Sequence, residues 1–218
     1  MRNFYLVIFI ISVLLSCNGQ QSMLNETNLK YKNHHLKKFD KDFIDHFPSR
    51  ITTPKNTIIS AENTERGFIG MLLYEYDMEV EEIITIENRL KNEAMKYYKS
   101  EDSCLLVINR FDTDKTFGYP KKIILPDSIS VNRSCYQDLL PIPKFFKYKN
   151  EDSNSIKNET MLPSGFNIYV LEAKSGNYFG KYDLIPNRQM PDGWKNGYSK
   201  GVAVSQKHRC VIYWSVAF

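Results

Sequence analysis

Gly197-Tyr198-Ser199-Lys200-Gly201 has the form Gly-x-Ser-x-Gly. In an acyl-transfer enzyme that pattern places a nucleophilic serine on a sharp strand-to-helix turn, followed along the chain by an acid and then a histidine. His208 follows Ser199, but no Asp or Glu does. The stretch before it reads as a loop and the stretch after it as a strand, the wrong setting for such an elbow. Gly193, Gly197 and Gly201 therefore read as an irregular loop that needs glycine's freedom.

His35, Asp42 and His46 offer imidazole and carboxylate, which suit zinc or another borderline metal. In one helix, seven and eleven steps of 100° return to within about 20° of the start, so the three share a stripe. Eleven residues span about 16 Å of helix, so His35 cannot reach an ion held by Asp42 and His46. The reading is a solvated helix edge, and no metal and no cofactor are assigned. Asp112-Thr113-Asp114 begins like a calcium loop, whose sixth position should be glycine and is Phe117; it reads as an acidic turn.

Lys144-Phe145-Phe146-Lys147-Tyr148-Lys149 interleaves bases with aromatics. Such spacing can stack single-stranded nucleic acid, or meet anionic headgroups or glycans. The simpler reading turns the apolar residues inward and the lysines outward. Trp194 to Phe218 holds both tryptophans. Val211 to Phe218 is apolar on both strand faces, which suits a central strand and puts Trp214 in the core. Trp194 lies beside Asp192 and Asn196 in the glycine loop and is the better surface candidate. Trp194, Tyr198, Lys144 and Lys147 are thus the candidate ligand-contacting residues.

The elements that must hold these residues can be read from periodicity. Leu36, Phe39, Phe43 and Phe47 recur at helical steps and predict a helix over His35–Phe47 that Pro48 stops. Val80, Ile83, Ile84, Glu87, Leu90, Ala94 and Tyr98 predict a second over Met78–Lys99, with Asp77 able to cap it. Gly67–Tyr76 and Cys104–Asn109 read as buried strands, and Lys121–Leu125 as a short one. Phe166–Lys174 reads as a strand that turns at Ser175-Gly176-Asn177 into Tyr178–Leu184, a hairpin. Val202–Ser205 and Cys210–Phe218 form a final hairpin. Lys149–Thr160 is polar and reads as a flexible loop. Two helices in the N-terminal half and strands later predict an α+β, mainly antiparallel fold in a single domain over 29–218.

Composition agrees with a folded body: 42% hydrophobic, with 14 Tyr and 13 Phe. A net charge of +4 is too small to point to nucleic acid. Besides Cys17, three cysteines remain: Cys104, Cys135 and Cys210. They allow one disulfide and one leftover thiol. Cys104 and Cys210 begin apolar runs and read as buried small hydrophobes, Cys135 lies in a polar stretch, and the pairing stays open.

The chain opens with Arg2 and an apolar run, Phe4–Ile11, then Ser12, Val13, Leu14, Leu15, Ser16 and Cys17. A charged start, a short apolar segment and a small residue form a secretory signal. Phe4–Leu15 is well short of the roughly 20 residues a membrane span needs. Leu14-Leu15-Ser16-Cys17 resembles the lipobox of bacterial lipoproteins, with Leu15 where a smaller residue is more usual. The resemblance implies cleavage after Ser16, a diacylglyceryl group on Cys17 and an acylated new terminus. Two or more acyl chains anchor a protein stably. Asn18 follows where an aspartate typically retains lipoproteins in an inner membrane, which favours the outer membrane of a two-membrane host. Residues 1–16 are thus a signal and polar residues 17–28 a tether.

Together these features suggest an exported, membrane-anchored envelope lipoprotein that binds a protein, glycan or lipid partner. An enzyme of unrecognised type drawing on His46, Asp42 or Asp192 is the alternative, as is an immunity or inhibitor protein.

Overall fold

A computed structural model of the chain describes residues 22–61, 69–109, 131–145, 160–182 and 184–218. Cys17, Asp112–Asp114, Lys121–Leu125, Phe146–Lys149 and the Lys149–Glu159 part of the expected loop lie outside these residues. The chain packs as two compact units, residues 1–56 and 57–218, each taken by itself below.

In the first unit, helix α1 runs through residues 22–38, with a π turn at Tyr31–His35. It therefore begins inside the stretch read as a tether. It ends where Phe39 and Asp40 turn extended (ψ 153° and 143°), and a short helix α2 follows at Lys41–Ile44. The single helix expected over His35–Phe47 is thus broken at Asp40, a residue type that favours helix starts over helix interiors. Phe39, Phe43 and Phe47 are nonetheless all buried, with Leu24, Tyr31 and Ile51. Asn28 ties α1 to the chain beyond α2: its carbonyl oxygen accepts from Ile51 N (2.7 Å) and its amide donates to Ile51 O (3.1 Å). Tyr31 donates to Pro48 O at 2.7 Å.

The second unit is built on a six-stranded sheet in the order β1-β2-β8-β7-β6-β3. The strands are β1 (Asn56–Ala61), β2 (Ile69–Tyr76), β3 (Lys96–Lys99), β6 (Asn167–Ser175), β7 (Gly197–Ser205) and β8 (Cys210–Ala217). The β2–β8, β8–β7, β7–β6 and β6–β3 pairings are antiparallel. A separate parallel pair joins β4 (Val107–Ile108) to β5 (Ile142–Pro143). The architecture is α+β with a mainly antiparallel sheet, as the chain order of helices and strands suggested.

β8 lies in the middle and is buried along its whole length, as its apolar character on both faces requires. On one face Trp214, Ile212, Val216 and Phe218 join Phe145, Phe166, Ile168, Ala203 and Leu105–Ile108 in the main core. Gly201 pairs with Trp214. A Cβ at Gly201 would stand 2.2 Å from the Tyr169 carbonyl and 2.5 Å from the indole, so only glycine lets the ring lie across the strand.

Helix α3 (Val80–Glu93) packs on β6 and β7 through Ile83, Glu87 and Leu90. It is shorter than the Met78–Lys99 helix expected. Ala94 turns extended (ψ 133°) and Lys96–Lys99 becomes β3, which pairs with β6 and buries Tyr98. Asp77 adopts φ 56° and Glu79 takes the N-cap position. Glu87 is buried but well satisfied: Asn167 Nδ2 (2.6 Å) and Tyr169 OH (3.0 Å) donate to Oε1, and Gln206 Nε2 (2.7 Å) to Oε2. Burial would raise its pKa, yet these three donors hold it below the usual carboxylate value.

Cys104 and Cys135 form a disulfide, and Cys210 is a buried thiol outside it. Cys104 is thus half-buried, where its apolar neighbours suggested a buried small hydrophobe. The strand expected over Cys104–Asn109 shortens to β4.

Candidate functional site: the cluster around Tyr198

The Gly-x-Ser-x-Gly stretch is strand, not loop: it forms the first half of β7. Alternation sends its side chains to opposite faces. Ser199 is fully buried and donates to Pro141 O at 2.6 Å. His208, in the β7–β8 turn, bonds the Ser164 carbonyl and stacks on Phe166. Serine and histidine are therefore committed to separate structural contacts, and no nucleophile elbow forms.

Tyr198 and Lys200 point to the other face. Across the ladder they meet Lys174 and Glu172 of β6, in register after a bulge between Val170 and Glu172. Lys174 Nζ lies 2.6 Å from Glu172 Oε1, Tyr198 donates to the same oxygen at 2.7 Å, and Lys200 Nζ lies 3.1 Å from Oε2. Lys174 Nζ also sits 5.9 Å from the Tyr198 ring centroid.

Gly176, at φ 125°, turns the chain out of β6. Its N–H donates to Asn196 O, and the Ser175 hydroxyl donates to Gly193 O. The chain after the turn does not return as the strand expected at Tyr178–Leu184. Tyr178 and Phe179 instead set their rings edge-on to Tyr198, at 5.3 and 5.6 Å between centroids. β6 takes β7 as its hairpin partner across the whole intervening segment. Tyr178 remains 57% exposed, which makes it an accessible aromatic above a buried one.

The charges of this cluster hold one another in fixed states. Lys174, then Tyr198 and Lys200, hold the Glu172 carboxyl down to about 2. Burial, then the Glu172 carboxylate, pushes the Tyr198 phenol up to about 12. Glu172 likewise raises the Lys174 ammonium above its usual value. None of the three changes protonation near neutral pH, where a general acid or base needs its pKa. What the cluster offers is a fixed cation at Lys174 and an exposed ring at Tyr178.

The remaining candidates fall elsewhere. Trp194, in a short 3-10 turn (Asp192–Trp194), is half-buried against the main core, its ring within 3.2 Å of where a Gly197 Cβ would lie. Lys144 is half-buried after β5, beside Phe145, which sets its ring edge-on to Trp214 at 5.6 Å. Lys147 lies outside the described residues. Asp192 is exposed, 3.6 Å from Lys195. His35 and Asp42 sit on different helices, so the shared stripe does not exist. Among the described residues no three His, Cys, Asp or Glu side chains gather as a metal site would need.

Glu172 and Lys174 escaped the sequence reading. Their spacing of two within an expected strand already put them on one face, but nothing local marked Tyr198 as their partner. No family model, curated protein or solved structure matches this chain.

Proposed function

We propose that this protein is exported, is fixed to the cell envelope by acyl chains on Cys17, and presents its 57–218 unit as a binding module. Its contact surface centres on exposed Tyr178 and Lys174, held by the buried Tyr198 beneath them, and its partner is an envelope protein or glycan. The observation that carries the anchoring is the sequence Met1–Cys17, a short signal ending in Leu14-Leu15-Ser16-Cys17. The Cys104–Cys135 disulfide supports it, because such bonds form and persist in oxidising compartments. Binding rather than catalysis is supported by a cluster whose ionisable groups keep one protonation state across neutral pH while an aromatic ring stays open to solvent. Tyrosine is among the side chains that carry most of the energy at recognition surfaces.

The test is crosslinking in living cells from a photoreactive residue at position 178, followed by identification of the attached species. A specific adduct that Lys174→Ala weakens fits the proposal. A clean adduct from an exposed control position such as 193, with none from 178, counts against this surface.

A further inference from the structure

The outward face of α1 carries an unusual pairing of exposed apolar and basic side chains. Its inward face is set by buried Leu24 and Tyr31, with Thr27, Asn28 and His35 half-buried beside them. Opposite, Met23, Lys30, His34 and Lys38 recur at steps of seven, four and four and form one stripe. Leu29, Asn33 and Lys37 form the neighbouring one. Met23 is 70% exposed and Leu29 61%, and Met23 is the most exposed large apolar residue described.

Across residues 22–38 four lysines stand against one carboxylate, Glu26, and Lys30 occupies it at 2.9 Å. Lys32, His34 and Lys37 are exposed and Lys38 half-buried. The acids nearest in the chain are Asp40, Asp42 and Asp45, all beyond the helix end. His35, already disfavoured as a cation by burial, is pushed further down by His34 and Lys38, which reports the positive field along this side.

We infer that this face of α1 lies on the headgroups of an anionic phospholipid bilayer. The inference rests on the proposed anchor for its geometry. Residue 22 follows Cys17 by five residues, at most about 18 Å of chain, and the 17-residue helix adds about 25 Å. Each side chain of the face is therefore within reach of the bilayer that holds the lipid. Charge complementarity and the two exposed apolar residues favour a lipid surface over a second copy of this basic helix, which would repel it. An acyl anchor joined to a basic patch is also a combination that gives stable membrane attachment.

The experiment uses the mature chain from residue 17 with Cys17→Ala, so that no lipid contributes. Its failure is thus distinguishable from a failure of the anchor, which fatty-acid labelling of the native protein reads. Sedimentation is measured with phosphatidylcholine vesicles and with vesicles containing 30 mol% phosphatidylglycerol. Binding is expected only to the anionic vesicles, with release in 0.5 M salt. Each lysine at the surface is worth about fivefold in affinity, so Lys37→Gln/Lys38→Gln should weaken binding roughly 25-fold with unchanged circular dichroism. Met23→Ser/Leu29→Ser should weaken it at each salt concentration that leaves the parent bound. Equal partition to both vesicle types, no sedimentation with either, or a salt-sensitive dimer in place of vesicle binding would overturn the inference.

Discussion

Replacing Gly201 by alanine tests the placement of the central strands. The added methyl would stand 2.2 Å from the Tyr169 carbonyl oxygen and 2.5 and 2.6 Å from two carbons of Trp214. Ordinary carbon contacts lie near 3.5–4.0 Å, so β6 and β7 must part by about an ångström or the indole must leave its site. Neither has room, because Trp214 is fully buried and sits edge-on to Phe145. Overpacking of a tight core costs about 1–3 kcal/mol, and a clash with both backbone and a buried ring belongs at the upper end. At roughly 2–4 °C per kcal/mol for a domain of this size, the Tm should fall about 6–12 °C. Gly193→Ala is the control: nothing lies within 4 Å of its added methyl, and it should change stability by less than about 0.5 kcal/mol. Urea unfolding followed by tryptophan fluorescence reads both. A Gly201→Ala protein as stable as the parent would refute the Gly201–Trp214 pairing and return the Gly-x-Ser-x-Gly stretch to a loop.

Two further outcomes follow from the second unit. Glu87→Gln leaves one of three buried donors facing an amide N–H and should cost about 2–3 kcal/mol at pH 7. Glu87 titrates below its unfolded value of 4.5, so its contribution is fully present above that pH and fades as the pH drops through the folded value. The gap between parent and variant in urea midpoints should therefore narrow from pH 5 to pH 3; a constant gap contradicts the network. The Cys104–Cys135 bond closes a loop of 31 residues, and Cys104→Ala/Cys135→Ala should lower stability by roughly 3–4 kcal/mol. Dithiothreitol should shift the parent's unfolding midpoint and leave the double variant's unchanged, whereas an unshifted parent would show that the bond is absent.

The sequence was most legible where local pattern and burial agree. Val211–Phe218 is apolar on both faces because β8 is a central strand, and its turn back to β7 is local. Phe39, Phe43 and Phe47 found the core although their helix breaks at Asp40. Misreadings came where distant contacts override local preference. Gly197 and Gly201 look like loop punctuation, yet they are strand residues whose missing side chains make room for Trp194, Phe218 and Trp214. Ala94 and Tyr98 continue the helical period of α3, but pairing with β6 turns Lys96–Lys99 into an edge strand. Glu87 interrupts an apolar stripe on paper, and its partners lie 80, 82 and 119 residues away. The Tyr198 cluster is half visible for the same reason: Tyr198 reads as a loop aromatic, while the charges that fix it sit on another strand, 24 and 26 residues away along the chain.

The proposed anchoring is tested most directly at Cys17. Mass spectrometry of the protein taken from membranes of its native host should find a chain that begins at Cys17 and carries diacylglyceryl and amide-linked acyl groups, with Cys104 and Cys135 bonded. An unacylated chain that still begins at Met1, recovered from the soluble fraction with those two cysteines reduced, would contradict it.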